Sequence, residues 1–298
     1  KQKTAYEIRP RDWSSDVCSS DLNMLRLFNA VLFCAFAAGG LAAQAADKPF
    51  EPYSGQPGKD VVWVPTAQAM VDKMLDLAKV TKDDVHFDLG SGDGRTVITA
   101  TKRGAKSTGI EYNPDMVELS KANAIKAGAP NAVFMKADLF ETDFSHASVV
   151  TLFLLPDINL KLRPKILNMK PGTRIVSNTF TMGEWKDDDT ATVEESQGCS
   201  YYCTAHLWIV PAEVAGTWQM AQGELTLTQE FQMLGGSLKS GDKSLPLRDA
   251  RMRGEFIHFN AGGVDYAGRV NGNTMSGTIG GAAGGTWTAT RGGKPAAK

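Results

Sequence analysis

Residues 85–95 read V-H-F-D-L-G-S-G-D-G-R. A short apolar run ends in Asp88, glycines follow at Gly90, Gly92 and Gly94, and residues 96–103 suit a helix. Strand, tight turn and helix in that order make the ligand-cradling corner of an α/β sheet. The glycine spacing separates two kinds of corner. A dinucleotide fingerprint, G-x-G-x-x-G, puts its third glycine three residues after the second. Here the third comes after two. Glycines let the backbone approach a ligand closely and take φ > 0 where the turn needs it. Taken alone, the turn also suits a corner that holds no ligand.

Two later acids narrow that choice. The strand-like run 107–112 carries Glu111, about 20 residues past the glycines, where a carboxylate can take both hydroxyls of a ribose. The run 132–137 ends at Asp138, with Leu139 and Phe140 after it. Singly, each acid reads as a solvated loop residue. Three acids at successive strand ends, in this order, are much harder to obtain by chance. The pattern D-x-G-x-G-x-G resembles motif I of class I S-adenosylmethionine (SAM) methyltransferases. That resemblance implies a doubly wound, Rossmann-like seven-stranded sheet with SAM as cofactor. It implies that Gly90, Ser91, Gly92 and Gly94 form the turn against SAM and that Asp88 helps bind its amino-acid end, directly or through water. In that family the acid at the position of Asp138 faces the adenine amino group. Val64-Pro65-Thr66 precedes the first helix. Thr66 reads as that helix's cap, and such a segment often lies across the SAM pocket in methyltransferases.

Residues 1–22 read as a translated sequencing-library adapter, with Arg9 to Arg11 at the variable index, and are set aside from fold reasoning. Met24 is then the expected start. Residues 24–45 have a short basic opening, a mostly apolar middle and Ala43-Gln44-Ala45 before Ala46, the pattern of a secretory signal peptide. The alternative is a membrane anchor, but Gly39, Gly40 and the alanines make a poor span. A periplasmic or secreted chain without a mature transmembrane segment is expected. Residues 1–45 hold five of the 32 basic and four of the 33 acidic side chains, which leaves 27 against 29. That balance argues against a nucleic-acid binder.

Cys18 and Cys34 fall in these leading segments, so Cys199 and Cys203 remain. In an oxidising compartment they can form a disulfide. Cys199, Cys203 and His206 also offer three metal ligands, although C-x3-C-x2-H fits no zinc pattern well. Ordinary reduced cysteines are the third option. No metal site is expected.

The pattern of the chain changes near Pro211. Before it, strand-like and helix-like runs alternate. A helix is expected from Thr66 through Val80, with an apolar face of Met70, Met74, Leu75 and Leu77. Asn113-Pro114 opens another, running to about Ala127. The apolar run 149–155 suits a strand buried on both faces. Residues 158–169 read as a helix with Pro164 as a kink, and 174–180 and 205–210 as strands. This succession supports a doubly wound sheet over residues 46–212, which the motif I resemblance implies is a methyltransferase domain. Residues 214–291 read as a separate all-β barrel or sandwich, rich in glycine, with Leu225, Leu227, Gln229, Phe231 and Met233 on one parity. Asn271-Gly272-Asn273 signals a hairpin. Gly216-Thr217-Trp218 recurs as Gly285-Thr286-Trp287, which puts two tryptophans on adjoining first and last strands. The β domain is a structural cap or a substrate- or envelope-binding module.

Methyl transfer from a sulfonium is an in-line displacement in which the protein aligns the acceptor and excludes water. No compulsory catalytic dyad is required, and no catalytic residue is assigned. The loop after the fourth strand, residues 154–159, lacks the D/N-P-P-Y signature of many base-amino and glutamine methyltransferases and an acidic metal set. Asp157 suits a helix N-terminus better than an acceptor site. Together, V-P-T, D-L-G-S-G-D-G-R and L-L-P resemble a small lysine methyltransferase family over residues 60–210. That family includes mitochondrial enzymes acting on the ATP synthase and on the adenine nucleotide translocase. The signal-like segment and the β domain depart from it. The resemblance implies a SAM-dependent methyltransferase with a protein amine as candidate acceptor; the signal-like segment adds export, and with it an envelope protein as the candidate partner. Because SAM is made in the cytosol, a SAM- or nucleoside-binding protein without catalysis is the alternative. A small-molecule O- or N-methyltransferase is the third reading.

Overall fold

A computed structural model describes residues 50–281 and 284–292. The adapter-like and signal-like segments, with Cys18 and Cys34, lie outside the described residues. From Pro49 onward the chain is one compact unit.

The first part alternates helices and strands: α1 (Gln68–Leu77), β1 (Val85–Leu89), α2 (Arg95–Lys102), β2 (Lys106–Glu111), α3 (Pro114–Lys126), β3 (Val133–Lys136), β4 (Val149–Leu152), α4 (Pro156–Leu167), β5 (Arg174–Asn178), β6 (Asp189–Thr192) and β7 (Thr204–Ile209). The strands form a seven-stranded sheet in the order β3-β2-β1-β4-β5-β7-β6. Strands β1 to β5 pair in parallel, and β7 runs antiparallel to both neighbours. The chain leaves β1 toward β2 and β3, then returns to β4 on the other side. A crevice therefore opens at the carboxyl ends of β1 and β4, where ligands bind in sheets of this kind. All four β4 residues are buried, as expected of a strand covered on both faces.

Several expectations are corrected in detail. Thr66 is not the cap of α1; Ala67 stands at the N-cap and no side chain caps the helix. The helix closes at Leu77 because the chain turns through Lys79, whose φ is positive. The strand expected over 149–155 stops at Leu152, since Pro156 starts α4 two residues earlier than periodicity suggests. Pro164 lies inside α4 without ending it. Strand β6, D-T-A-T, has no apolar pattern because it is an exposed edge. Asn113 does cap α3, accepting from the Asp115 N–H at 2.9 Å.

The second part is a closed eight-stranded antiparallel barrel: β8 (Gly216–Met220), β9 (Gly223–Glu230), β10 (Met233–Ser240), β11 (Lys243–Arg253), β12 (Phe256–Ala261), β13 (Val264–Asn271), β14 (Thr274–Ile279) and β15 (Thr286–Gly292). Strand β15 returns to pair with β8 and so removes the free edges. Trp218 and Trp287 sit on these two strands and both are buried in the barrel core. The expected single parity from Leu225 to Met233 breaks at Phe231, which takes φ 53° in the β9–β10 turn and leaves Met233 exposed. Asn271 pairs with Thr274 around the predicted hairpin turn.

Barrel and sheet are joined by ring, hydrogen-bond and ionic contacts. Phe231 stacks on Trp185 with ring centroids 5.9 Å apart. Gln232 Nε2 donates to the Lys186 carbonyl at 2.6 Å, and the Ala212 N–H donates to the Gly254 carbonyl at 2.8 Å. Arg251 donates to Asp188 Oδ1 at 2.9 Å, and the Asp188 side chain is fully buried.

Candidate active site

A cavity opens over the carboxyl ends of β1 and β4. Of the residues singled out in the sequence, Thr66, Asp88, Gly90, Ser91, Gly92, Glu111 and Asp138 line it. Gly94 does not. It stands behind the turn as the N-cap of α2, with φ 84°, and an added Cβ would lie 2.8 Å from the Phe134 ring. Gly90 and Gly92 take φ 78° and 53°. Their lack of Cβ keeps the cavity floor low.

The turn is held from several sides. The Gly90 and Ser91 N–H groups donate to the Ile110 carbonyl at 2.9 and 3.0 Å. From α3, the Ser120 hydroxyl donates to the Gly92 carbonyl at 2.7 Å and Asn123 Nδ2 to the Asp93 carbonyl at 2.9 Å. Glu111 spans two backbone donors, taking the Gly92 N–H at 3.0 Å on Oε2 and the Asn113 N–H at 2.9 Å on Oε1. Each carboxylate oxygen keeps lone-pair capacity for a ligand. The Ser91 hydroxyl is buried without a partner.

Asp88 sits deep, with its Oδ1 accepting from the Thr151 hydroxyl at 2.6 Å. That hydroxyl has one proton to give, so His86 Nε2, 2.8 Å away, carries the proton that completes the chain. Burial keeps His86 neutral, pulling its pKa down to about 3. Burial pushes Asp88 up to about 7; the Thr151 hydrogen bond opposes this, while Asp93 and Glu111 add repulsion. Thr151, in the middle of an otherwise apolar β4, is a site residue that the sequence reading missed.

Residues 53–66 form a strap across the cavity. Gly55 N–H to the Trp63 carbonyl (2.7 Å) and Trp63 N–H to the Gln56 carbonyl (2.9 Å) fold it into a loop. Trp63 covers Gly92 so closely that a Cβ there would lie 2.5 Å from its Nε1. Arg95 ties strap to turn: its Nε donates to Asp93 Oδ1 at 3.0 Å and its Nη1 to the Thr66 carbonyl at 2.6 Å. At the far end Lys59 pairs with Asp138 and lies 4.9 Å from the Tyr112 ring centroid. The Lys59 hydrogen bond, followed by that of the Phe140 N–H, holds Asp138 below the usual carboxylate range.

The opposite end of the cavity is apolar and aromatic. Leu154, Leu155 and Ile158 line it with Phe153, Phe180 and Tyr202. Asp157 points elsewhere; it is an exposed residue in the first turn of α4 and does not line the cavity. Cys199 and Cys203 form a disulfide. His206 is committed to Asp187, with Nδ1 2.6 Å from its Oδ2. Among the described residues no cluster of His, Cys, Asp or Glu could hold a metal, and no helix is long and apolar enough to cross a membrane.

Comparison with known proteins gives a consistent set of similarities. Residues 88–189 match the model of the ANTKMT methyltransferase domain. The chain is 42% identical over 139 residues to a protein-lysine N-methyltransferase of Saccharolobus islandicus, covering 45% of this chain and 86% of that relative. It is 30% identical over 173 residues to an ATP synthase lysine N-methyltransferase of Caenorhabditis elegans, covering 53% of this chain and 89% of the relative. The adenine nucleotide translocase lysine N-methyltransferase of Mus musculus is 32% identical over 129 residues, covering 42% of this chain and only 56% of that relative. Among solved structures, an RNA methyltransferase from Salinibacter ruber in complex with S-adenosyl-L-homocysteine is 47% identical, with 51% of this chain and 96% of that chain covered at a TM-score of 0.47. The family match ends at residue 189, so the barrel lies outside it.

Proposed function

We propose a protein-lysine acceptor for this chain, which belongs to the protein-lysine N-methyltransferase family of class I SAM-dependent methyltransferases. The observation that carries the reading is the division of one cavity into an acidic end, with Asp88, Glu111 and Asp138, and an apolar, aromatic end beyond β4. The first suits a nucleoside with an amino-acid tail. The second suits an alkyl chain ending in an amine.

In this proposal Asp88 meets the amino-acid end of SAM, Glu111 the ribose hydroxyls and Asp138 the adenine edge. Gly90 and Gly92 let the backbone approach the cofactor, and the strap with Trp63 excludes water. SAM supplies the activated methyl carbon. The chain's own contribution is alignment of the acceptor in a dry cavity.

Asp88 gives this arrangement a pH dependence. The cationic amino group of SAM favours the ionised carboxylate. With its pKa at about 7, Asp88 is about one-tenth ionised at pH 6 and nine-tenths at pH 8. SAM affinity is expected to rise roughly tenfold between those values, with proton uptake by buffer on binding below pH 7. The effect on stability without SAM has the opposite sense. A carboxyl raised in the folded state binds its proton more tightly than the unfolded chain does, so stability falls as pH rises from about 4 to about 7 and then levels. Calorimetric titration across pH checks the first effect; a flat affinity would remove Asp88 from the cofactor site.

Export to an oxidising compartment is the location we propose. Its supports are the signal-like segment before Ala46 and the Cys199–Cys203 disulfide. One experiment tests acceptor and location together. Envelope and cytosolic fractions are incubated with the chain and methyl-labelled SAM, and the labelled proteins are hydrolysed. Labelled ε-N-methyl-lysine in the envelope fraction is expected. Label in another residue, or only in small molecules, would overturn the lysine acceptor. Lysine label confined to cytosolic proteins would overturn the location.

A further inference from the structure

We infer that Phe153, Phe180 and Tyr202 form the wall that receives the acceptor's ammonium group, and that the Cys199–Cys203 disulfide keeps Tyr202 in that wall. The inference rests on the amine-acceptor reading and names the residues that would select such an acceptor. Sheet topology separates the two ends of the cavity. Asp88 lies on β1, Glu111 on β2 and Asp138 just after β3, all on one side. Phe153 directly follows β4, Phe180 comes two residues after β5, and Tyr202 two residues before β7, all on the other. With the acids assigned to the cofactor, the aromatic side remains for the acceptor.

The three rings form one cluster. Phe153 and Phe180 stack with centroids 5.9 Å apart, and Tyr202 lies 5.2 Å from Phe153 and 6.2 Å from Phe180. All three line the cavity, and Tyr202 keeps 44% of its surface exposed, so the wall reaches solvent. A ring left half in water gains less by burial than a core ring does. Its placement is nonetheless strongly enforced.

Two non-glycine residues flank the cluster with left-handed backbone: Thr179 at φ 64° and Tyr202 at φ 60°. For a β-branched residue such as Thr179 this is an unfavourable conformation that persists only where its surroundings over-determine it. They do so here. The Thr179 N–H donates to the Thr204 carbonyl at 2.7 Å, and Asn159 Nδ2 reaches the carbonyls of Phe180 and Thr181 at 3.3 and 3.2 Å. Tyr202 is fixed differently. The disulfide closes residues 199–203 into a short loop, and Cys199 is anchored in the core with Val193 and Ala205.

The chemistry favours a cation. Aromatic faces attract an alkylammonium and discriminate against a neutral group of the same shape by roughly five- to tenfold in affinity. The two cationic side chains that line the cavity, Lys59 and Arg95, are paired with Asp138 and Asp93, at the cofactor end. The wall also suits the reaction itself. The amine releases its proton to solvent, its lone pair forms the new N–C bond, and the C–S electron pair stays on sulfur. Positive charge thereby leaves sulfur and arrives at nitrogen, beside the rings, which stabilises the transition state relative to the bound neutral amine formed by that proton release.

Binding of two small probes tests this without any methyl transfer. Choline carries an alkylammonium; 3,3-dimethylbutan-1-ol is its neutral isostere. Each is titrated into the chain saturated with S-adenosylhomocysteine, and affinity is read from protein NMR shifts. Choline is expected to bind at least about fivefold more tightly than the alcohol. Tyr202→Ala should erase that preference and Tyr202→Phe keep it, with S-adenosylhomocysteine affinity unchanged in both. Reducing the disulfide should weaken choline binding to the parent chain and have no further effect on Tyr202→Ala. Equal affinity for both probes, or a preference surviving Tyr202→Ala, overturns the wall. An equal effect of reduction on parent and variant overturns the role of the disulfide. Since no product is measured, failure of the lysine acceptor in the labelling experiment is distinguishable from failure here.

Discussion

Gly92→Arg should abolish SAM binding, with at least a ~100-fold loss of affinity, while the chain stays folded. Two effects combine. Gly92 has φ 53°, where a side chain costs about 1–2 kcal/mol. Its Cβ would also sit 2.5 Å from Trp63 Nε1, so the strap must shift, and the guanidinium would then fill the cavity floor. The loss corresponds to about 2.7 kcal/mol of binding free energy. Calorimetric titration measures it, with circular dichroism as the control for folding. Affinity equal to that of the parent chain would remove the glycine turn from the SAM site. Nothing else proposed for the acidic end would then stand.

The largest expected effect on stability is Trp287→Ala. Trp287 is 2% exposed and meets Phe259 and Tyr266 edge-on at 5.8 and 6.1 Å. Its Nε1 donates to the Ala267 carbonyl at 3.2 Å. Gly268 makes room for it, since a Cβ there would lie 2.5 Å from Cζ2. Emptying such a site costs about 3–5 kcal/mol, which lowers Tm by roughly 6–20 °C in a chain of this size. We expect one transition rather than two, because the barrel and sheet share the pair of Arg251 with the buried Asp188 carboxylate and the Trp185–Phe231 stack. Thermal unfolding followed by near-UV circular dichroism and by SAM-binding competence should therefore move together. Two separated transitions would show that the parts unfold independently.

What the sequence made legible was local. Asp88, the glycines, Glu111 and Asp138 sit at strand ends whose order is written along the chain, and α/β topology gathers such ends at one crevice. The adjacency of the strands that carry Trp218 and Trp287 was visible because the same tripeptide recurs at both ends of the barrel. Strand β6 was not, because an exposed edge strand of Asp, Thr and Ala has no apolar alternation to detect. The strap was also hidden. Its loop is closed by backbone bonds between Gly55, Gln56 and Trp63, and its grip on the site comes from Lys59 and Trp63 reaching residues far along the chain. Periodicity carries no information of that kind. Thr66 misled in the same way: a hydroxyl residue before a helix usually caps it, but here the carbonyl of Thr66 is the used group, taken by Arg95. The aromatic wall draws one ring from each of three separate loops, so only the assembled sheet brings them together.

The closure of the barrel bears on the order in which the chain can mature. Strand β8 has its second partner only when residues 286–292 arrive, some seventy positions later. Pairing across so long a separation is slow compared with the hairpins in between. During synthesis the sheet, whose strands are complete by Ile209, can form while the barrel is still an open meander with exposed edges. The last strand therefore acts as a seal on the finished chain. A product ending before Thr286 would carry every residue of the cofactor crevice yet expose unpaired strands and an apolar interior, the signature by which quality-control proteases and chaperones recognise an incomplete protein.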